Sequence, residues 1–135
     1  MNHDELQQQT NAHYEDFPFD FLTEEDEQNI EQLQPPAFFR FTETYLRPGS
    51  KVAEIGCGPG RATLFMSNRG IDLLAVDISP ASLSLAKRRA PNCKFLQATN
   101  LDLPLPDEAF DAVVSDGVIH HTPDAYTSFW ENARI

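Results

Sequence analysis

The sequence predicts an α/β fold, a mostly parallel sheet with helices on both of its faces. Short runs rich in Val, Ile, Leu and Ala recur at Lys51–Ile55, Leu73–Asp77, Lys94–Ala98 and Phe110–Ser115. Helical stretches of about ten residues lie between strands, the length of a crossover joining parallel strands. Gly or Pro marks most of the boundaries.

Taken in order, residues 1–17 are polar, Gln-rich and acidic without an apolar period, and are expected to be mobile. Asp16 to Leu22 is aromatic and apolar enough to dock on something. Thr23 is placed to N-cap a short acidic helix over Glu24–Leu33. Pro35 and Pro36 break that helix and start another, with Phe38, Phe41, Thr42 and Tyr45 on one face, ended by Pro48-Gly49. The first strand, Lys51–Ile55, runs into Gly56-Cys57-Gly58-Pro59-Gly60 and a helix over Arg61–Arg69 that stops at Gly70. The second strand ends at Asp77, and Ser79-Pro80 starts a helix with Leu83, Ala86 and Ala90 on one face, closed by Pro91. The third strand is followed by a Pro-rich turn over Leu103–Asp107. The fourth strand centres on Val113-Val114. Thr122-Pro123 caps a last helix, in which Tyr126, Phe129, Trp130 and Ala133 share one face.

With 135 residues and 41% apolar composition the chain holds one modest core. There is no internal repeat and no sign of a second domain. The net charge of −11 is unevenly placed. Residues 1–34 carry ten acids and no Lys or Arg, whereas residues 35–135 balance eleven acids against ten bases. The chain therefore divides into an acidic, partly disordered segment at 1–34 and a folded body at 35–135. An acidic segment and no basic stripe argue against a nucleic-acid partner. No apolar run reaches membrane-spanning length, and Met1–Gln9 lacks the pattern of a signal peptide. Cys57 and Cys93 form no disulfide framework, so the expected home is a reducing cytoplasm.

The chemistry concentrates in Glu54-Ile55-Gly56-Cys57-Gly58-Pro59-Gly60, followed some twenty residues later by Asp77. A strand that enters a glycine turn and then a helix lets backbone approach a ligand, because no Cβ intervenes. An acid ending the next strand is placed to accept hydrogen bonds from ribose hydroxyls. The dinucleotide fingerprint wants G-x-G-x-x-G, but here the third glycine comes one residue early and position 61 is Arg. That spacing disfavours a nicotinamide-dependent oxidoreductase.

The spacing resembles motif I of the class I S-adenosylmethionine-dependent methyltransferases, of the methyltransferase type 11-like kind, where an acid opens E/D-x-G-x-G-x-G. Ala75-Val76-Asp77-Ile78-Ser79 is similar to the family's motif II. Leu103 to Val114, LPLPDEAFDAVV, resembles its approach to the fourth strand, and Val118-Ile119-His120-His121 resembles the stretch after it. The resemblance covers roughly residues 45–135. It implies a Rossmann-like sheet of order 3-2-1-4, of which about four strands, the N-terminal half, are present. It also implies S-adenosylmethionine as cofactor. Gly56, Cys57 and Gly58 would line its methionine and ribose portion, Gly60 would let the helix approach the sheet, and Glu54 would organise the loop and the methionine amino end. Asp77 would hold the ribose hydroxyls and Ile78 would pack on the adenine. Where the family has an acid for the adenine amino group, this chain has Thr99 with Asn100 beside it, whose oxygens can accept a hydrogen bond. Ser115 and Asp116 would face the transferring methyl group.

Other residues carry a sharp and a bland reading. His120 and His121, near Asp116 and Asp124, suggest a metal, but no third ligand has suitable spacing and none is assigned. His120 is a candidate proton acceptor, set against simple packing at the start of the last helix. Cys57 reads as a small side chain among glycines rather than a nucleophile. Lys87-Arg88-Arg89 reads as a solvated helix end. Tyr14 to Leu22 is either a lid on the cofactor or a cover for apolar surface.

The family's sheet has seven strands, so the fourth would keep an exposed edge through which the chain could self-associate. Two functions follow. The first is a methyltransferase acting on a small-molecule acceptor, in which the sulfonium needs chiefly positioning and exclusion of water. The second is a truncated, non-catalytic remnant or binding module that keeps the nucleoside site.

Overall fold

The computed structural model describes residues 2–16 and 20–135. Four strands form one sheet in the order β3-β2-β1-β4, every neighbouring pair parallel. They are β1 Lys51–Ile55, β2 Asp72–Asp77, β3 Lys94–Gln97 and β4 Ala112–Val114. The helices are α1 His3–Asp16, α2 Glu24–Gln28, α3 Pro36–Tyr45, α4 Arg61–Ser67, α5 Pro80–Arg89 and α6 Ala125–Arg134.

The central strand shows why the sheet forms. Val52 to Ile55 are all buried, as a strand covered on both faces requires. Successive side chains leave it on opposite faces. Val52 joins Phe65, Met66 and Leu73 on one face, with Phe38, Phe39 and Phe41 of α3 packed on them. Ala53 and Ile55 join Val76, Leu103 and Ile135 on the other. Ala86 of α5 packs with Cys57 and Ala75. Since β1, β2 and β3 are adjacent and parallel, their C-terminal ends open on the same rim, and the glycine loop, Asp77 and Asn100 meet there.

Several local expectations change. Residues 3–16, expected to be mobile, form α1. Asn2 caps it, its Oδ1 accepting from the Glu5 N–H (2.8 Å) while Glu5 accepts from the Asn2 N–H (3.0 Å). Gln, Glu and Leu are good helix formers, so the missing apolar period did not prevent a helix. Phe17 to Phe19, part of the expected docking stretch, lie outside the described residues. The acidic helix stops at Gln28 rather than Leu33, although its Thr23 cap forms a full capping box with Asp26. In α3 the residue facing Phe65 beside Phe38 is Phe39, while Tyr45 is exposed. The last helix is capped by Asp124, not by Thr122-Pro123. Its aromatic face is turned outward, with Tyr126, Phe129 and Trp130 exposed, and Ser128 and Asn132 buried instead. β4 is three residues long where six were expected.

Candidate functional site

The glycine loop is pinned to the end of β2 by its own backbone. The Gly56 and Cys57 N–H groups both donate to the Val76 carbonyl, at 2.7 and 2.9 Å. Gly56 has φ +77°, and a Cβ there would run into the Val118 isopropyl group, so any other residue would strain the backbone and displace Val118. Asp77 then joins loop to helix. Its Oδ2 accepts from the Gly58 N–H (2.8 Å) and its Oδ1 from the Ser79 N–H (2.9 Å). Ser79 in turn caps α5 by accepting from the Ser82 N–H.

These groups line a cavity of about 480 Å³ at the strand ends. Glu54 lies at its base, buried among strands, with the Thr63 hydroxyl donating to its Oε2 at 2.7 Å. Burial pushes the Glu54 carboxyl up to about 8; Thr63 and Arg61 oppose the shift, and Asp77 and Asp116 add to it. Burial raises the Asp77 carboxyl too, against the stabilising N–H groups of Ser79 and Gly58. It also drives the Cys57 thiol far above its ordinary value, which leaves no thiolate for a nucleophilic role. Arg61, the only Lys or Arg among the lining residues, bridges Gln34 Oε1 (2.6 Å) and Asp116 Oδ2 (2.7 Å).

The N-terminal segment adds a further wall. Gln7 and Thr10 of α1, with Phe21 and Leu22, line the cavity. Glu15 fixes α1 to the start of α5, accepting from the Ser79 hydroxyl (2.6 Å) and the Ala81 N–H (3.2 Å). Arg89, expected on a solvated surface, is buried and organises this junction. It donates to Glu27 (2.6 Å), to Asp20 Oδ2 (3.1 Å), to the Leu22 carbonyl (3.3 Å) and to the Pro59 carbonyl in the glycine loop (2.7 Å), and pairs electrostatically with Asp20 Oδ1 at 2.9 Å. One guanidinium thus ties the N-terminal segment to the loop. Of the stretch Tyr14 to Leu22, Phe21 and Leu22 line the cavity while Glu15, Asp20 and Leu22 are bonded to the body, so features of both readings are present among the described residues.

Of the residues marked by the sequence, Glu54, Gly56, Cys57, Gly58, Asp77, Ile78 and Asn100 line the cavity. Four do not. Thr99 uses its hydroxyl to accept from the Leu101 N–H, closing its own turn. Ser115 is turned away from the lining, its Oγ buried. His120 stacks on His121 with ring centroids 4.0 Å apart, and only His121 borders the cavity. Gly60 has φ +97°, and a Cβ there would lie 2.8 Å from the Ala86 Cα, so it permits close approach of α5 rather than of the sheet. Sequence reading missed Arg61, Arg89 and the α1 residues. The acid-only composition of residues 1–34 beside an isolated Arg-rich helix end was the one available signal for the Arg89 junction.

Among the described residues no helix is long and apolar enough to cross a membrane. The sequence profile of the methyltransferase domain family matches residues 53–135. The probable tRNA methyltransferase 9B of Mus musculus is 40% identical over 75 residues, covering 56% of this chain and 16% of that protein. A demethylmenaquinone methyltransferase of Tropheryma whipplei is 38% identical over 92 residues, covering 64% of this chain and 37% of that protein. A Thermotoga maritima structure described as an S-adenosylmethionine-dependent methyltransferase superposes on 93% of this chain and 56% of its own, with a TM-score of 0.66 at 24% identity. The chain spans well under half the length of these curated relatives. Glycine loop, sheet order and profile agree, and the chain belongs to the methyltransferase domain family, with the Rossmann-like fold of the class I S-adenosylmethionine-dependent enzymes.

Proposed function

We propose that this chain binds S-adenosylmethionine in the rim cavity and serves methyl transfer to a small-molecule acceptor. The observation that carries the reading is Asp77, a carboxylate on the cavity wall that simultaneously accepts from the loop and from the start of α5. Each carboxylate oxygen accepts more than one hydrogen bond, so both retain capacity for ribose hydroxyls. The rest of the wall fits the same cofactor. A volume of about 480 Å³ suits a nucleoside joined to an amino acid. Gly56 and Gly58 present backbone without Cβ, and Ile78 offers an apolar surface for a base. Glu54 offers the methionine ammonium a buried carboxyl.

The bound cofactor supplies a methyl group on a positively charged sulfur. The protein's part is to position the donor and exclude water, with Gln7, Thr10, Phe21 and Leu22 adding to the cavity wall. His121, at the cavity edge, replaces His120 as the side chain placed to take a proton from an oxygen or carbon acceptor. The acid-only N-terminal segment beside the cavity favours a small acceptor over a polyanion.

Calorimetric titration tests the reading. S-adenosylmethionine and its demethylated product are expected to bind in preference to NAD. Asp77→Ala should weaken them by about 2–4 kcal/mol. Asp102→Ala, in the exposed turn, should leave binding unchanged. Tighter binding of NAD, or equal losses from both variants, would overturn the assignment. Methyl label recovered in tRNA would move the acceptor to the nucleic-acid class that the mouse relative's name carries.

A further inference from the structure

Among the described residues the cavity wall carries three acids, Glu54, Asp77 and Asp116, and a single Lys or Arg, Arg61. Arg61 opens the first turn of α4, directly after Gly60. On that same turn the Thr63 hydroxyl donates to Glu54 Oε2 at 2.7 Å, so the turn stands against the carboxyl at the cavity base. Arg61 is also one of the charges felt by Glu54, opposing the rise in its pKa. The guanidinium is held from two sides. Its Nη1 donates to Gln34 Oε1 (2.6 Å) and its Nη2 to Asp116 Oδ2 (2.7 Å). Gln34 is buried, and its Nε2 donates to the Ile30 carbonyl (2.8 Å), which turns its oxygen toward Arg61. These bonds leave the Nε–H and one N–H on each terminal nitrogen of Arg61 uncommitted. The side chain is 31% exposed and borders the cavity, within reach of a ligand there.

We propose that Arg61 receives the cofactor's carboxylate, and so makes this chain select a donor with a complete amino acid end over one that has lost the carboxylate. This inference rests on the cofactor reading above and adds the second half of its amino acid contact. That end is a zwitterion, and Glu54 answers only its ammonium. A carboxylate entering the cavity meets Asp77 and Asp116, which repel it, and one guanidinium, which does not. Gln34 and Asp116 already hold that guanidinium in place, so little side-chain freedom is lost when a ligand joins them. The acids make Arg61 decisive. Without it they would favour the decarboxylated form, which carries one more net positive charge.

The test is titration of this chain with S-adenosylhomocysteine and with its decarboxylated analogue, which keeps the nucleoside and the amine. Wild-type protein should bind the parent about tenfold more tightly, the low end for a hydrogen bond to a charged group, because Arg61 keeps contact with water. In Arg61→Met, which keeps the apolar stem, that preference should vanish or reverse in favour of the analogue. A purely structural role for Arg61 would weaken both ligands together and leave their ratio intact, which overturns the proposal. Asp116→Asn keeps an oxygen for Arg61 and removes the competing charge, so the preference should widen by about threefold or more. Asp116 is 45% exposed, and this variant decides if Arg61→Met does not fold. Equal binding of both ligands by the wild type, or a ratio that stays level or narrows in Asp116→Asn, also overturns the proposal while leaving the cofactor site standing. Failure of the parent compound to bind removes the cofactor reading and this inference with it.

Discussion

Glu54 is a carboxyl enclosed by β-sheet, 4% exposed, with Ala75 and Val114 as its strand neighbours and Thr63 as its hydrogen-bond partner. Burial is the largest influence on it, and Asp77 and Asp116 push the same way against Thr63 and Arg61. With its pKa raised from 4.5 to about 8, the folded chain holds a proton that the unfolded chain has released. Between those values the native state binds more protons, so stability is full below 4.5, falls as pH climbs, and levels off above about 8. Glu54→Gln removes this dependence while keeping shape and an acceptor for Thr63. The melting temperature of the wild type, relative to Glu54→Gln, should therefore drop between pH 5 and pH 8, by on the order of a few kcal/mol in stability. Parallel melting curves across that range would show that Glu54 titrates normally. A methionine ammonium beside Glu54 would draw the proton off, so cofactor affinity should rise with pH in the wild type and stay level in the variant.

Among the elements, the junction around Arg89 couples most parts of the fold. Its side chain is 1% exposed and holds Asp20, Leu22 and Glu27 on one side and the Pro59 carbonyl on the other. Removing a buried cation strands the carboxylates that depended on it, and such losses run to about 3–5 kcal/mol. Arg89→Leu should destabilise the chain by an amount near the lower end of that range, because Asp20 and Glu27 keep some contact with water. It should also raise protease cleavage around residues 20–28 and weaken cofactor binding through the loop. Unchanged cleavage and binding would separate the N-terminal segment from the site. This junction also shows where sequence reading reached its limit. The four strands, the glycine loop and Asp77 were legible because each is a local pattern in which burial period, turn chemistry and spacing agree. Arg89 was not, because Lys87-Arg88-Arg89 looks uniform along the chain while only one of the three turns inward. The same holds for α6. Its aromatic spacing marks a helix face correctly, but Ser128 and Asn132, on the other face, are the residues that the fold buries. Thr99 and Asn100 differ by which neighbour each side chain finds: Thr99 meets its own turn at Leu101, and Asn100 meets Asn132 of α6.

At the scale of the whole molecule, the sheet order β3-β2-β1-β4 leaves the outer side of β4 without a strand partner among the described residues. Val113 and Val114 point to opposite faces, each into a different core cluster, so both faces of the strand are covered. The edge is not. Beside it runs a groove of about 510 Å³ bordered by Phe110, Ala112, Val113, Ile119 and Phe129. Phe129, Trp130 and Tyr126 extend that apolar surface along α6. The N-terminal segment cannot serve as a cover, because α1 is fastened to α5 by Glu15 and the Asp20–Leu22 stretch to Arg89, at the β2 and glycine-loop side of the molecule. Unpaired strand groups next to apolar side chains are a template for another strand. The 135-residue chain, purified alone, should therefore self-associate, with a sedimentation coefficient that rises with protein concentration. Phe129→Lys, which places a charge on the exposed wall of that groove, should reduce that association without lowering cofactor binding by more than about twofold, since the rim cavity lies elsewhere. Amides of residues 110–115 should exchange faster in dilute than in concentrated solution. A monodisperse monomer at all concentrations, with those amides fully protected, would mean that β4 needs no partner and that α6 shields the edge by itself.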